Sequence, residues 1–114
     1  MGDRAVITTK KALREDGSLD KNEIGIYLHW NGCREDVQSF LDLAKAKGVR
    51  RPEIDNYGWA RLCQIIGEEI GGYELSIGID RLERLDCANY DNGVYIFDDW
   101  TIIKNIDSDD VKVS

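Results

Sequence analysis

Read from the first residue onward, the apolar positions fall into seven stretches. Residues 5–9 (AVITT) are β-branched and predict a strand. Residues 10–22 are polar, carry the turn signal Asp16-Gly17, and predict a loop or hairpin connection. In 23–30, Ile24, Ile26 and Leu28 alternate with Gly25, Tyr27 and His29, which predicts a second strand antiparallel to the first and ended by Asn31-Gly32. Two helices follow. In 33–48, Val37, Phe40, Leu41 and Ala44 make one apolar stripe. Asn31 or a neighbour is placed to cap its start, Glu35 and Asp36 suit its positive end, and Lys45 and Lys47 suit the other. Gly48 reads as a left-handed stop, with Pro52 blocking continuation. The second helix runs from Asp55 or Asn56 to Ile70, with Trp59, Leu62, Cys63, Ile66 and Ile70 on one face and Gly71-Gly72 as its end. Three further strands are predicted over 75–79, 94–97 and 100–103, and Asn92-Gly93 is the strongest short hairpin signal in the chain.

The order β-β-α-α-β-β-β predicts an α+β fold: an antiparallel sheet of about five strands with two helices on one face. Residues 1–106 read as a single domain. The acidic stretch 107–114 reads as a tail that frays, or that adds a short edge strand through Val111 and Val113.

Composition narrows the class. The chain has 114 residues, 42% of them apolar and 32% charged, with one proline, which argues against intrinsic disorder. A chain of this size buries roughly two thirds of its unfolded surface, enough for a core without metals or disulfides. No apolar run approaches a membrane span, and the opening MGDRAVITTKK lacks the apolar stretch of a signal peptide, so a cytoplasmic protein away from membranes is expected.

The formal charge is −7, unevenly placed. Residues 1–52 hold ten basic and eight acidic side chains, whereas 53–114 hold five basic and fourteen acidic ones. Phosphate backbones should repel such a chain, so direct DNA or RNA binding is not expected despite a local basic patch at Lys45, Lys47, Arg50 and Arg51. The acidic half instead suits the basic groove of a nucleic-acid-binding protein, with Asp86, Asp91, Asp98, Asp99, Asp107, Asp109 and Asp110 as candidate contacts. Ordinary solubility is the plainer account of the same charge.

Few residues carry recognisable chemistry. Cys33, Cys63 and Cys87 are odd in number, contain no C-x-x-C pair, and read as buried reduced thiols rather than as a disulfide framework or, with His29, a zinc set. The stretch 86–93 is rich in Asp and Asn but fails the calcium-loop register, so it reads as an Asx-stabilised turn. GEEIGG at 67–72 has neither dinucleotide nor P-loop spacing. The pairs Asp98/Asp99 and Glu68/Glu69 are adjacent in sequence, so their side chains diverge. No catalytic residues, cofactor or metal are expected, and an enzyme is not the expected class. The remaining candidate is aromatic: His29 and Trp30 at a strand end, and Tyr57, Trp59 and Arg61 at a helix start, read either as core anchors or as one small pocket with Asn31 adding a polar contact.

Four stretches, MGDRAVI at the start, YLHWNG at 27–32, YGWARL at 57–62 and DNGVYIFDDW at 91–100, resemble small acidic proteins encoded by phages and prophages of Gram-positive bacteria. The resemblance spans residues 1–104 and carries over no activity and no catalytic residues. It implies a genomic context in which small accessory proteins antagonise host defence, anti-CRISPR proteins among them. The leading expectation is therefore an interaction protein that binds and inhibits a host defence nuclease in the host cytoplasm, itself a possible homodimer through an edge strand. The alternative is a small-molecule binder for a nucleotide signal that uses the aromatic group.

Overall fold

The computed structural model describes residues 3–70 and 77–114. Five strands, β1 (Ala5–Thr9), β2 (Ile24–Leu28), β3 (Ile77–Arg81), β4 (Val94–Asp98) and β5 (Thr101–Ile106), form one sheet in the order β3-β2-β1-β4-β5. Helices α1 (Arg34–Ala46) and α2 (Asn56–Ile70) lie between β2 and β3 in the chain. The class is α+β, with the expected element order. The sheet itself is mixed rather than antiparallel throughout, because β1 and β4 at its centre run parallel, with Val6 opposite Val94 and Thr9 opposite Phe97.

This central pair is buried on both faces. All five residues of β1 are buried, as are the first four of β4. Such continuous burial is the mark of strands covered on both sides. One cover is the helix layer. Ala5, Ile7, Ile26, Leu28, Tyr95, Phe97 and Ile102 meet Val37, Phe40, Leu41 and Ala44 of α1 and Trp59, Leu62, Ile65 and Ile66 of α2. Ile65 completes a wider inward face on α2 than the sequence stripe suggested, while Cys63 is only half-buried.

The second cover is made of connections. Val6, Val94, Ile96 and Ile106 pack against Ala12 and Leu19 of the 10–22 loop and against Leu82 and Cys87. Val111 and Val113 lean on this second core. The last residues are accordingly tied down rather than frayed: the Leu19 N–H donates to Lys112 O at 2.8 Å, and the Ser114 N–H donates to Leu19 O at 3.0 Å. Val113 forms an isolated parallel bridge with Leu19, not an added edge strand of the sheet.

Local signals place most of the boundaries. Gly48 adopts the expected left-handed conformation after α1, with φ +69°. The N-cap of α1 is Cys33, without a side-chain cap, and Asn31, at φ +60°, donates instead to the Asp36 carboxylate at 3.2 Å. Asp55 caps α2, its carboxylate accepting the Tyr57 N–H at 2.9 Å. The third strand begins at Ile77, and the expected residues 75–76 and the stop at Gly71-Gly72 lie outside the described residues.

Asn92-Gly93 is not the hairpin turn. It enters β4 after a loop, and only Gly93 of the two has positive φ, at +65°. The two-residue hairpin joins β4 to β5 through Asp99 and Trp100, at φ +48° and +64°, the pattern of a type I′ turn.

Candidate functional site

The five aromatic-group residues form two separate groups rather than one pocket. His29 and Trp30 follow the C-terminal end of β2, where the His29 ring stands edge-on to Trp30 at 4.8 Å and its Nδ1 lies 2.9 Å from the Tyr27 hydroxyl. Trp30 is 45% exposed. Tyr57, Trp59 and Arg61 border one apolar groove with Ile24, at the opposite end of the same strand, and with Ile79 of β3, so the helix-start half of the group does come together. A five-residue strand spans roughly 16 Å, so the two groups stand at opposite ends of the sheet. Trp59 is 7% exposed and belongs to the core, edge-on to Phe97 at 6.1 Å. Helical periodicity explains their different exposure: Tyr57 and Arg61, four apart, share the outer face, and Trp59 between them turns its bulk inward while still bordering the groove.

α2 also borders a second groove, of about 550 Å³, that runs along it from Tyr57 to Glu68 beside the end of α1 and the segment that follows it. Lys47, Arg50, Tyr57, Arg61 and Glu68 line it. The Arg50 guanidinium lies over the Tyr57 ring, 5.4 Å from its centroid, and bonds Asp55 at 2.9 Å. These contacts draw part of the basic patch and part of the aromatic group into one concave place. The sequence had offered them as separate features.

The seven aspartates have three different fates. Asp91 is structural: its Oδ2 accepts from the Arg4 Nε at 2.8 Å and from the Arg4 backbone N–H at 3.0 Å. The Arg4 hydrogen bond holds the Asp91 carboxyl below the usual carboxylate range. Asp86 stands 3.7 Å from the same guanidinium. Asp99 lies in the hairpin turn, 3.9 Å from Arg51, and Asp98 is half-buried beside it. Only Asp107, Asp109 and Asp110 are exposed without an ion-pair partner among the described residues. They gather with Asp16 around one shallow depression that Lys104 and Lys112 also border.

The loop before β4 is built around Asn89, a residue the sequence reading named only as part of an Asx-rich turn. Its fully buried amide donates to the carbonyls of Asp86 and Gly93, both at 3.0 Å. Its Oδ1 accepts the N–H groups of Asp91 at 3.1 Å and of Gly93 at 3.0 Å. The oxygen-rich composition thus serves the backbone.

The three thiols are dispersed. Cys63 faces the helix-side core, and Cys87 lies in the core across the sheet, where burial pushes its thiol up to about 11. They do not form a ligand set with His29. Cys33 instead lies with Asp3 and Asp36, ligand atoms within 4.8 Å of one another. Both carboxylates already accept hydrogen bonds, Asp3 from Asn92 at 2.7 Å and Asp36 from Asn31 at 3.2 Å.

Compared with known proteins, the chain matches no family model, no curated protein and no solved structure. No helix among the described residues is long and apolar enough to cross a membrane.

Proposed function

We propose that this chain is an interaction protein that docks on a basic partner through its acidic rim and, in a phage setting, inhibits a host defence nuclease by covering the groove that its nucleic acid would occupy. The observation that carries the reading is the fixed presentation of Asp107, Asp109 and Asp110. The backbone bonds between Leu19 and the last residues, together with a 2.8 Å bond from the Arg14 guanidinium to the Ser114 hydroxyl, hold this segment against the body. Carboxylates on a held backbone lose less conformational freedom on binding than those on a free tail. Their charge also steers encounter with a cationic surface. Asp86, Asp91 and Asp99 are engaged with Arg4 and Arg51 and drop out of the docking set.

The test is capture from a Gram-positive host lysate by the tagged protein and by an Asp107→Asn/Asp109→Asn/Asp110→Asn variant, washed at low and at high salt. The expected result is a nucleic-acid-binding protein retained at low salt by the wild type alone, whose nuclease activity falls when the purified pair is mixed. Equal retention by the variant, or retention that ignores salt, overturns the reading.

A further inference from the structure

The groove between α1 and α2 lies on the helix-covered face, away from the acidic rim. From its geometry we infer that it is a binding site for a small phosphate-bearing ligand, a nucleoside diphosphate or a close relative, with the phosphates at Lys47, Arg50 and Arg61 and the base against Tyr57. This stands independently of the docking reading, since it uses none of the rim residues.

Three features carry it. Lys47, Arg50 and Arg61 line one concavity, with Glu68 the single carboxylate on its wall, in a chain whose overall charge is −7. Like charges placed together in a hollow raise the local concentration of an oppositely charged ligand. Lys47 and Arg61 form no ion pair among the described residues, whereas Arg50 is already oriented by its bond to Asp55 and its place over Tyr57. A guanidinium has five N–H donors, so those that Asp55 does not take remain for phosphate oxygens. Lastly, Tyr57 is 64% exposed although it borders two grooves, which leaves ring surface on which a planar base can stack.

Size and charge select the ligand class. A groove of about 550 Å³ falls within the range of roughly 300–1,000 Å³ common for small-ligand pockets. A polynucleotide would extend beyond it onto a surface of net negative charge, which repels a long phosphate backbone.

Isothermal titration of the full chain with ADP, GDP, pyrophosphate and adenosine tests the site. Both diphosphates are expected to bind, pyrophosphate more weakly, and adenosine not measurably. Loss of one charged contact corresponds to about a tenfold loss of affinity. Arg61→Gln and Lys47→Gln should each show it, while Arg84→Gln, on the far side of the molecule, should not. Tyr57→Ala should weaken ADP several-fold and leave pyrophosphate unchanged. All four substitutions are at exposed positions, and unchanged circular-dichroism melts check that each variant folds. No heat with either diphosphate at millimolar concentration, or equal binding by Arg61→Gln, overturns the site. Equal affinity for pyrophosphate and ADP overturns its assignment to nucleotides.

Discussion

The indole of Trp100 stacks parallel to and offset from the ring of Phe97, centroids 5.7 Å apart and planes 10° from parallel, although Trp100 is the second of two left-handed residues in the turn. A bulky side chain at φ +64° is disfavoured, so burial must offset the local strain. The indole is 2% exposed, and its Nε1 donates to Val49 O at 3.3 Å. Gln38 reinforces the corner by donating to Trp100 O and accepting from the Ile102 N–H, both at 2.9 Å. Trp100→Gly is therefore expected to lose about 3–5 kcal/mol of stability in urea unfolding, the cost of emptying a large aromatic site, despite relieving the backbone. Asp99→Gly, at the exposed neighbour, should change stability by less than about 1 kcal/mol.

Asn89 predicts a loop that fails as a unit. Asn89→Ala takes the side-chain partner from the Gly93 and Asp91 N–H groups and from the Asp86 carbonyl, while the Gly93 carbonyl keeps only the bond from the Val6 N–H. The expected loss is about 2–4 kcal/mol, since each unpaired buried group costs on the order of 1–3 kcal/mol. Asn89→Asp should not restore it, because the carboxylate cannot donate to those carbonyls. Thermal unfolding of both variants checks the point.

Acid should loosen the end of the molecule where Arg4 meets Asp91. The Asp91 carboxyl titrates below its unfolded value because the Arg4 hydrogen bond favours the charged form, and Asp16 does so through Ser18. Each therefore adds stability above the unfolded carboxylate range, near pH 4, and loses it as pH falls through the lowered folded value. Urea midpoints should fall between about pH 4 and pH 2, and Asp91→Asn should flatten that part of the curve.

Thiol labelling should be graded by position. Cys87 is held protonated far above neutral pH by burial, so a disulfide reagent at pH 8 should leave it unmodified until the protein unfolds. Cys33 and Cys63, half-buried and raised less, should react slowly in the native state. Mass spectrometry of the labelled protein reads the order. Fast native labelling of Cys87 would contradict the second core.

Removing 107–114 tests whether the last residues are structural. The deletion uncovers Leu19 and takes Val111 and Val113 from the second core. A loss of about 2–4 kcal/mol is expected at roughly 1.5–3 kcal/mol per buried side chain, reduced for partial burial. Unaltered stability would mean that the segment is dispensable for folding.

Periodicity revealed both helices because each buries one stripe, and Gly48 ended α1 where a left-handed residue was needed. It did not reveal the parallel pairing of β1 with β4, although AVI at 5–7 and VYIF at 94–97 carry a clue: runs without polar alternation suit strands covered on both faces. The turn signals misled for a physical reason. Asn92-Gly93 has the local preference for a hairpin, but Asn89 fixes Gly93 within a loop. Asp99-Trp100 lacks that preference and turns because Phe97 and Val49 receive the indole. The candidate site was legible only in pieces. Charge counting found Asp107, Asp109 and Asp110, yet no sequence spacing shows that Arg4 claims Asp91 from 87 positions away. Nor does it show that Arg50 of one segment lies over Tyr57 of another.

The parallel contact at the centre of the sheet also sets an order on how the chain assembles. β1 is made before the neighbour that seals its other edge, β4, whose Val94 stands opposite Val6 from 88 positions further along the chain. Until then β1 can pair only with β2, leaving a buried-type strand with an open edge and few local contacts to protect it. A sheet closed by so distant a partner has high contact order, which slows folding and prolongs exposure of apolar strands. The nascent chain is therefore vulnerable to misassociation in the interval between the emergence of β1 and that of β4, and the sheet closes only once β4 is in place.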